Sequence, residues 1–211
     1  MNFNIPCETY IRLSHVAKNG DADFHNCLYV CQRDNVRMLI VTNRKIAAFE
    51  FLGKFDGPDF ETWVSFDPVL LNQANIEKLA SGHIFFVNVP DLKFVSAKTT
   101  MGYTHPGNVA FAIDTFQNAR SKWHEWRSWL PDDEPVQHVG SMFMNADHIA
   151  NLGYSSPSGR LVFPEIIDNR KPVVVRDILS ENWFGLFMAN RLDDNNVVQE
   201  TEPAVLPDWV K

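Results

Sequence analysis

Three cysteines, seven histidines and two short acidic runs are the residues of this 211-residue chain whose types could support chemistry. Cys27 and Cys31 have the spacing of a metal-ligand pair, but a structural zinc site takes four ligands and there is no second pair. With Cys7 the count is odd, which does not make a disulfide scaffold. On a strand, residues four apart share a face, so Cys27 and Cys31 read as small buried hydrophobes. His15, His25, His83, His105, His124, His138 and His148 are scattered without ligand spacing. Asp132-Asp133-Glu134 and Asp193-Asp194 could in principle hold a divalent ion, yet acidic runs in proline-containing loops are ordinarily solvated. No Gly-x-Ser-x-Gly elbow, phosphate-binding glycine loop or His-Glu-x-x-His is present. No catalytic residue, metal or cofactor is therefore expected. An α+β hydrolase or transferase with an unrecognised site is the enzyme alternative, and it would need titratable groups clustered in a deep pocket.

The remaining chemistry is that of binding. Hydrophobic residues make up 45% of the chain and charged ones 21%, with 16 Phe and 6 Trp, enough apolar surface for a packed core. The formal charge of −7 argues against a protein that coats nucleic acid with its whole surface, while leaving room for a local basic patch. Trp123, Trp126 and Trp129 recur every third residue. Stacking on bases is one use for such a row, and stapling a linker onto a domain face is the plainer one. No apolar run approaches about 18 residues and no leader pattern is visible, so the expected location is cytoplasmic, without a membrane.

These residues must be positioned by regular elements, and the patterns predict a chain of the α+β class. Residues 2–6 read as extended and Glu8 to Lys18 as an amphipathic helix with Tyr10, Leu13 and Ala17 on one face. Leu28–Val30 and Arg37–Thr42 form a hairpin about Arg33, Asp34 and Asn35, and Ile46–Phe51 is a third strand. The order then starts again: Trp63–Phe66 is a strand, Asp67 caps a helix with Pro68 at its first position through Val69–Ala80, and Ile84–Val89, Lys93–Ala97 and Val109–Ile113 follow as strands. A third round opens at Met142–Met144, with Asn145 capping Ala146–Leu152, then Arg160–Ile167, Pro172–Ile178 and Trp183–Met188. Three consecutive β-α-β-β-β units result. The expected organisation is a two-unit domain over 1–115, a Trp-rich linker over 116–136, a third unit over 137–192 and a frayed acidic tail over 193–211.

Three strings in this frame resemble the bacterial DNA polymerase III β sliding clamp family. Leu39-Ile40-Val41-Thr42-Asn43-Arg44-Lys45-Ile46-Ala47 is similar to the clamp's V-A-T-D-G-H-R-L-A strand and turn, one residue shorter and without the glycine. Trp123-His124-Glu125-Trp126-Arg127-Ser128-Trp129-Leu130-Pro131 looks like its F-P-D-Y-R-R-V-L-P interdomain string. Pro172-Val173-Val174-Val175-Arg176 and the stretch Phe184 to Leu192 resemble its closing strands, which end in M-P-M-R-L. Clamp domains are each two β-α-β-β-β units, so three units correspond to about one and a half DNA-clamp domains, and a ring of twelve would take four copies.

The resemblance implies a reduced or divergent sliding-clamp-like processivity factor: a homo-oligomeric ring that encircles duplex DNA without reading sequence and tethers a polymerase or other replication protein through its peptides. It implies DNA-backbone contacts from helix cations, here Arg12, Lys18 and Lys78. These stand against Glu8, Asp67, Glu77 and Asp147 on or beside the same helices, a poor balance for a phosphate lining. It also implies an apolar peptide-binding groove at Thr42, Arg44, Ile46, Trp129, Leu186 and Met188, with Met188 adaptable to different partners. The alternative from the same fold is an interaction module that forms no ring and binds or regulates replication proteins.

Overall fold

The tightest turn of the chain shows how local chemistry sets its elements. Asp34 and Asn35 take φ of 52° and 64°, the left-handed pair that a two-residue hairpin requires, and Asp and Asn are the residues with side chains that tolerate it best. The turn joins strand β2 (Cys27–Arg33) to β3 (Val36–Thr42). At the far end of β3, the Asn43 side-chain oxygen accepts the N–H groups of Lys45 and Ile46, each at 3.0 Å, and turns the chain into β4 (Ile46–Lys54). Ahead of these, β1 (Asn2–Pro6) runs directly into helix α1 (Cys7–Ala17).

The computed structural model describes residues 2–17, 27–43, 45–89, 94–105, 128, 130, 136–139, 145–163, 172–188 and 198–201. The second unit comprises β5 (Phe60–Ser65), α2 (Pro68–Glu77), a 3-10 turn Lys78–Ala80, β6 (His83–Val89) and β7 (Phe94–Thr99). As the sequence predicts, the Asp67 carboxylate caps α2, accepting from Val69 and Leu70 with proline next in line. The third unit comprises β8 (Val136–Val139), α3 (Ala146–Ser155) capped by Asn145, β9 (Leu161–Val162), β10 (Pro172–Asp177) and β11 (Trp183–Met188). The tail expected to be frayed carries β12 (Val198–Thr201), which pairs antiparallel with β8 and so is tied back by a backbone ladder. The strands expected at Val109–Ile113 and Met142–Met144 lie outside the described residues, as do residues 164–167 of the expected strand Arg160–Ile167.

Pairing does not follow the units. β1 leaves its own unit to pair with β6 of the second, Phe3 opposite Phe86 and Ile5 opposite Ile84. β5 returns the exchange, pairing with β2 of the first unit with Leu28 opposite Val64. Among the described residues the result is a three-stranded sheet in the order β1-β6-β7 and a seven-stranded sheet in the order β5-β2-β3-β4-β11-β10-β9. In the larger sheet β4 of the first unit meets β11 of the third, from Trp183 opposite Glu50 to Phe187 opposite Ile46.

Alternation along these strands creates two apolar faces. The inner one joins both sheets to the helices: Tyr10 and Leu13 of α1, Leu70 of α2 and Leu152 of α3 bury against Phe3, Phe86, Leu39, Ala48 and Phe187. The outer one gathers Tyr29, Ile40, Phe49, Trp63 and Phe184, together with Cys27 and Cys31 in the role of small apolar residues that their spacing predicts. Helix α3 comes closest to the sheet at Gly185, where a Cβ would stand 2.8 Å from Leu152 Cδ2 and 3.0 Å from the Trp183 ring. The loop leaving α3 is held by buried Asp177, whose carboxylate accepts from Ser156 Oγ, from Ser158 N and Oγ, and from Leu179 N. Burial pushes this carboxyl up, but the four hydrogen bonds outweigh it and hold the pKa below the ordinary aspartate value.

Two outcomes are expected. Gly185→Ala overpacks the α3 contact and destabilises the fold by about 1–3 kcal/mol in urea unfolding, and Leu152→Ala in the same chain recovers part of the overpacking loss. Because the pKa of Asp177 is lowered on folding, its stabilisation is present above pH about 4 and lost as pH falls through that range. Asp177→Asn therefore costs about 1–3 kcal/mol at pH 7, and the gap from the parent narrows in unfolding measured near pH 3.

Candidate DNA-facing helices and peptide-binding face

Helix α1 packs against both α2 and α3, so the three helices form one layer. The expected DNA contacts on it are placed as follows. Arg12 points inward: its Nη2 lies 2.9 and 3.0 Å from the two carboxylate oxygens of Glu50 on β4, and its Nη1 donates to the Ser155 carbonyl at the end of α3. Thr9 Oγ1 donates to Glu50 Oε1 at 3.2 Å, and the two side chains of the ion pair are 14% and 9% exposed. Burial pushes the Glu50 pKa above the ordinary glutamate value, with Arg12 and Thr9 pulling against it. The geometry thus gives Arg12 an interior carboxylate where the helix periodicity predicts a solvent-facing cation. Lys78 is exposed, and Lys18 lies outside the described residues.

Among the described residues of the three helices, the exposed charges are Glu8, Asp147 and Lys78. Glu77 does not add to them. It is fully buried, accepting from Gln73, Thr99 and the Met101 N–H, and despite the opposing effect of burial these bonds hold its pKa low. Helix α2 and the 3-10 turn after it instead present Val69, Ile76 and Leu79 to solvent. This surface is mixed apolar and slightly acidic, unlike a track that neutralises phosphates.

The residues expected to form a peptide groove divide between the two faces of the large sheet. Thr42, Ala47, Leu186 and Val174 stand opposite one another across β3, β4, β11 and β10 and make one row. Leu186, Ala47 and Val174 belong to the outer cluster, and Leu130 packs on that cluster. The string 123–131 thus reaches the outer face through Leu130. Ile46 is on the inner face, 2% exposed, with its carbonyl accepting from Thr42 Oγ1 at 2.7 Å. Ala47 is the residue that sequence reasoning passed over: one position along a strand changes the face, so Ala47 rather than Ile46 shares the face of Thr42 and Leu186. Arg44 and Trp129 lie outside the described residues, and of Met188 the backbone alone is described, opposite Pro172. Among the described residues there is no group of three His, Cys, Asp or Glu that could hold a metal ion, and no helix long and apolar enough to cross a membrane.

A β-α-β-β-β unit that exchanges its first strand with that of a second unit, described as β-α-β-β, and a third unit that extends the larger sheet define a DNA-clamp type of fold. Solved bacterial sliding clamps share it. A DNA polymerase sliding clamp from Pseudomonas aeruginosa superposes with a TM-score of 0.55 at 13% identity, over 91% of this chain and 66% of that chain. The DNA polymerase III β subunit of Thermotoga maritima gives 0.57 at 11% identity, over 91% and 66%. That of Borrelia burgdorferi, in complex with a natural product, gives 0.54 at 9% identity, over 91% and 64%. The chain spans about two thirds of the length of these clamps, and at such identities the likeness is one of fold. No family model matches the chain, and no curated protein matches it.

The inward placement of Arg12 has a direct test. Arg12→Ala strands a buried carboxylate and is expected to cost about 3–5 kcal/mol in chemical denaturation, whereas Arg12→Met with Glu50→Leu recovers most of that loss. A cost near zero for Arg12→Ala would return this side chain to the solvent-facing role.

Proposed function

We propose that the chain is a sliding-clamp-type factor of DNA replication that works by binding and carries no chemistry of its own. The observation behind this reading is the exchanged-strand architecture, shared with bacterial sliding clamps over 91% of the chain. In this role copies of the chain assemble edge to edge around duplex DNA, as β4 and β11 already join two units within one chain. The ring holds DNA topologically, so affinity for phosphate is secondary, and Lys78 with Lys18 supplies weak, sequence-independent contacts. Polymerases or other replication proteins dock through peptides on the outer face beside the row Thr42, Ala47, Leu186 and Val174.

The helix surface favours a second reading within the same fold. Exposed Glu8 and Asp147 against Lys78, with Val69, Ile76 and Leu79 uncovered, suit a module that contacts proteins and never surrounds DNA.

Native mass by light scattering over a wide concentration range, paired with retention on nicked circular and on linearised DNA, separates the two. The clamp reading expects a stable closed oligomer retained on circles and lost from linear ends, with retention weakened in Lys78→Glu while assembly is unchanged. A monomer at all concentrations, or equal retention on both DNA forms, overturns it in favour of the interaction module.

A further inference from the structure

At the end of β3 and β4 opposite the Thr42 row, a groove of about 370 Å³ runs along β1. Its floor is the solvent side of the β1–β6 pair, where Asn2 stands opposite Val87 and Asn4 opposite Phe85. Phe85 and Val87 are 41% and 36% exposed, unusually apolar for the open face of a sheet. The wall is built from Phe55 and Arg37. Among the described residues β1 has no strand on its other side, so the groove follows an open sheet edge.

Arg37 makes this a recognition site rather than a plain apolar cleft. It is 6% exposed, yet among the described residues no carboxylate pairs with it. Its Nε and Nη2 share a single neutral acceptor, Gln32 Oε1, at 3.1 and 2.8 Å, and the guanidinium lies 3.8 Å from the centre of the Phe55 ring. Stacking on Phe55 and the bond to Gln32 fix its plane, and among the described residues no acceptor engages Nη1. Burial penalises its charge and pulls its pKa down. A cation held desolvated, oriented and short of a counter-charge is complementary to an anion entering the groove.

We propose that the groove binds an extended peptide segment carrying an acidic side chain near an apolar one, laid along β1 as an added strand with its carboxylate on Arg37 and its apolar side chain beside Asn2 and Asn4, on the face that continues to Phe85 and Val87. The β1 edge, unpaired among the described residues, offers main-chain hydrogen bonds, and the face beside it offers Asn2 and Asn4 first and the exposed Phe85 and Val87 one strand further, within reach of a long apolar side chain. A small free anion would use Arg37 but neither the edge nor the floor. Duplex DNA needs a track of cations, and among the described residues lining this groove Arg37 is the single cation. The site lies apart from the outer-face row and does not depend on ring formation.

The test is fluorescence anisotropy with two labelled octapeptides, one alternating Asp and Val and the other Asn and Val, at physiological salt. The parent protein is expected to bind the Asp peptide about tenfold tighter than the Asn peptide. Arg37→Gln removes that preference, and Val87→Glu, an exposed change that leaves the fold intact, weakens binding of the Asp peptide about tenfold or more. Equal affinity for the two peptides, no binding of either at millimolar concentration, unchanged affinity in Val87→Glu, displacement of the Asp peptide by free acetate, or its displacement by a short DNA duplex each overturns the proposal. Should Arg37→Gln fail to fold, Val87→Glu and the peptide pair decide it.

Discussion

The contact between Arg12 and Glu50 is the point at which the first and third units meet. Arg12 belongs to α1, Glu50 to β4, and the Ser155 carbonyl that shares the guanidinium ends α3. A buried ion pair adds little net stability over a well-packed apolar substitute, but it tolerates few other arrangements, because any shift leaves a charge desolvated and alone. Its effect is to fix register. β4 is the strand on which β11 assembles, and Glu50 sits opposite Trp183 at the start of that pairing. The same side chain therefore ties the lie of α1 on the sheet to the first residue pair between β4 and β11.

Packing around this joint has little slack. Leu152 reaches the sheet because Gly185 has no side chain to hold it off, and the Trp183 ring fills the space on the other side. The exchange of β1 and β5 does the corresponding work between the first two units. With Phe3 stacked on Phe86 at 5.0 Å and close to Phe60 at 5.4 Å, a strand from one unit becomes core for the other. Neither unit buries its inner face without its neighbour, and the third unit extends the larger sheet.

Much of this was legible from residue order. The caps Asp67-Pro68 and Asn145, the turn Asp34-Asn35 and the apolar alternation of β2 to β4 fixed element type and order, because each acts over a few residues. Strand exchange was not legible: alternation shows that a strand has a buried face, but Phe3 looks the same whether its partner is in β2 or β6. Arg12 was misplaced for a related reason. It shares a helical side with Glu8 and His15, which reads as solvent-facing, and becomes interior once α3 packs alongside. A signal was available on the partner, since Glu50 lies between Phe49 and Phe51 in an otherwise apolar strand, and a carboxylate there needs a cation nearby. Arg37 followed by Met38-Leu39-Ile40-Val41 carried the same kind of signal, but its lack of an acid partner depends on three-dimensional placement.

The exchanged strands also order events in time. β1 precedes everything it pairs with, and Phe3 meets Phe86 after the whole first unit and most of the second have been made. Ile46 waits longer still for Phe187. Such distant pairings have a high loop-closure cost and form late. While a ribosome is still extending the chain, β4 presents a long apolar edge with nothing beside it, open to β4 of a neighbouring nascent chain as readily as to its own β11. The interlocking of the finished sheet thus leaves an interval in synthesis when the fold itself does not cover that edge.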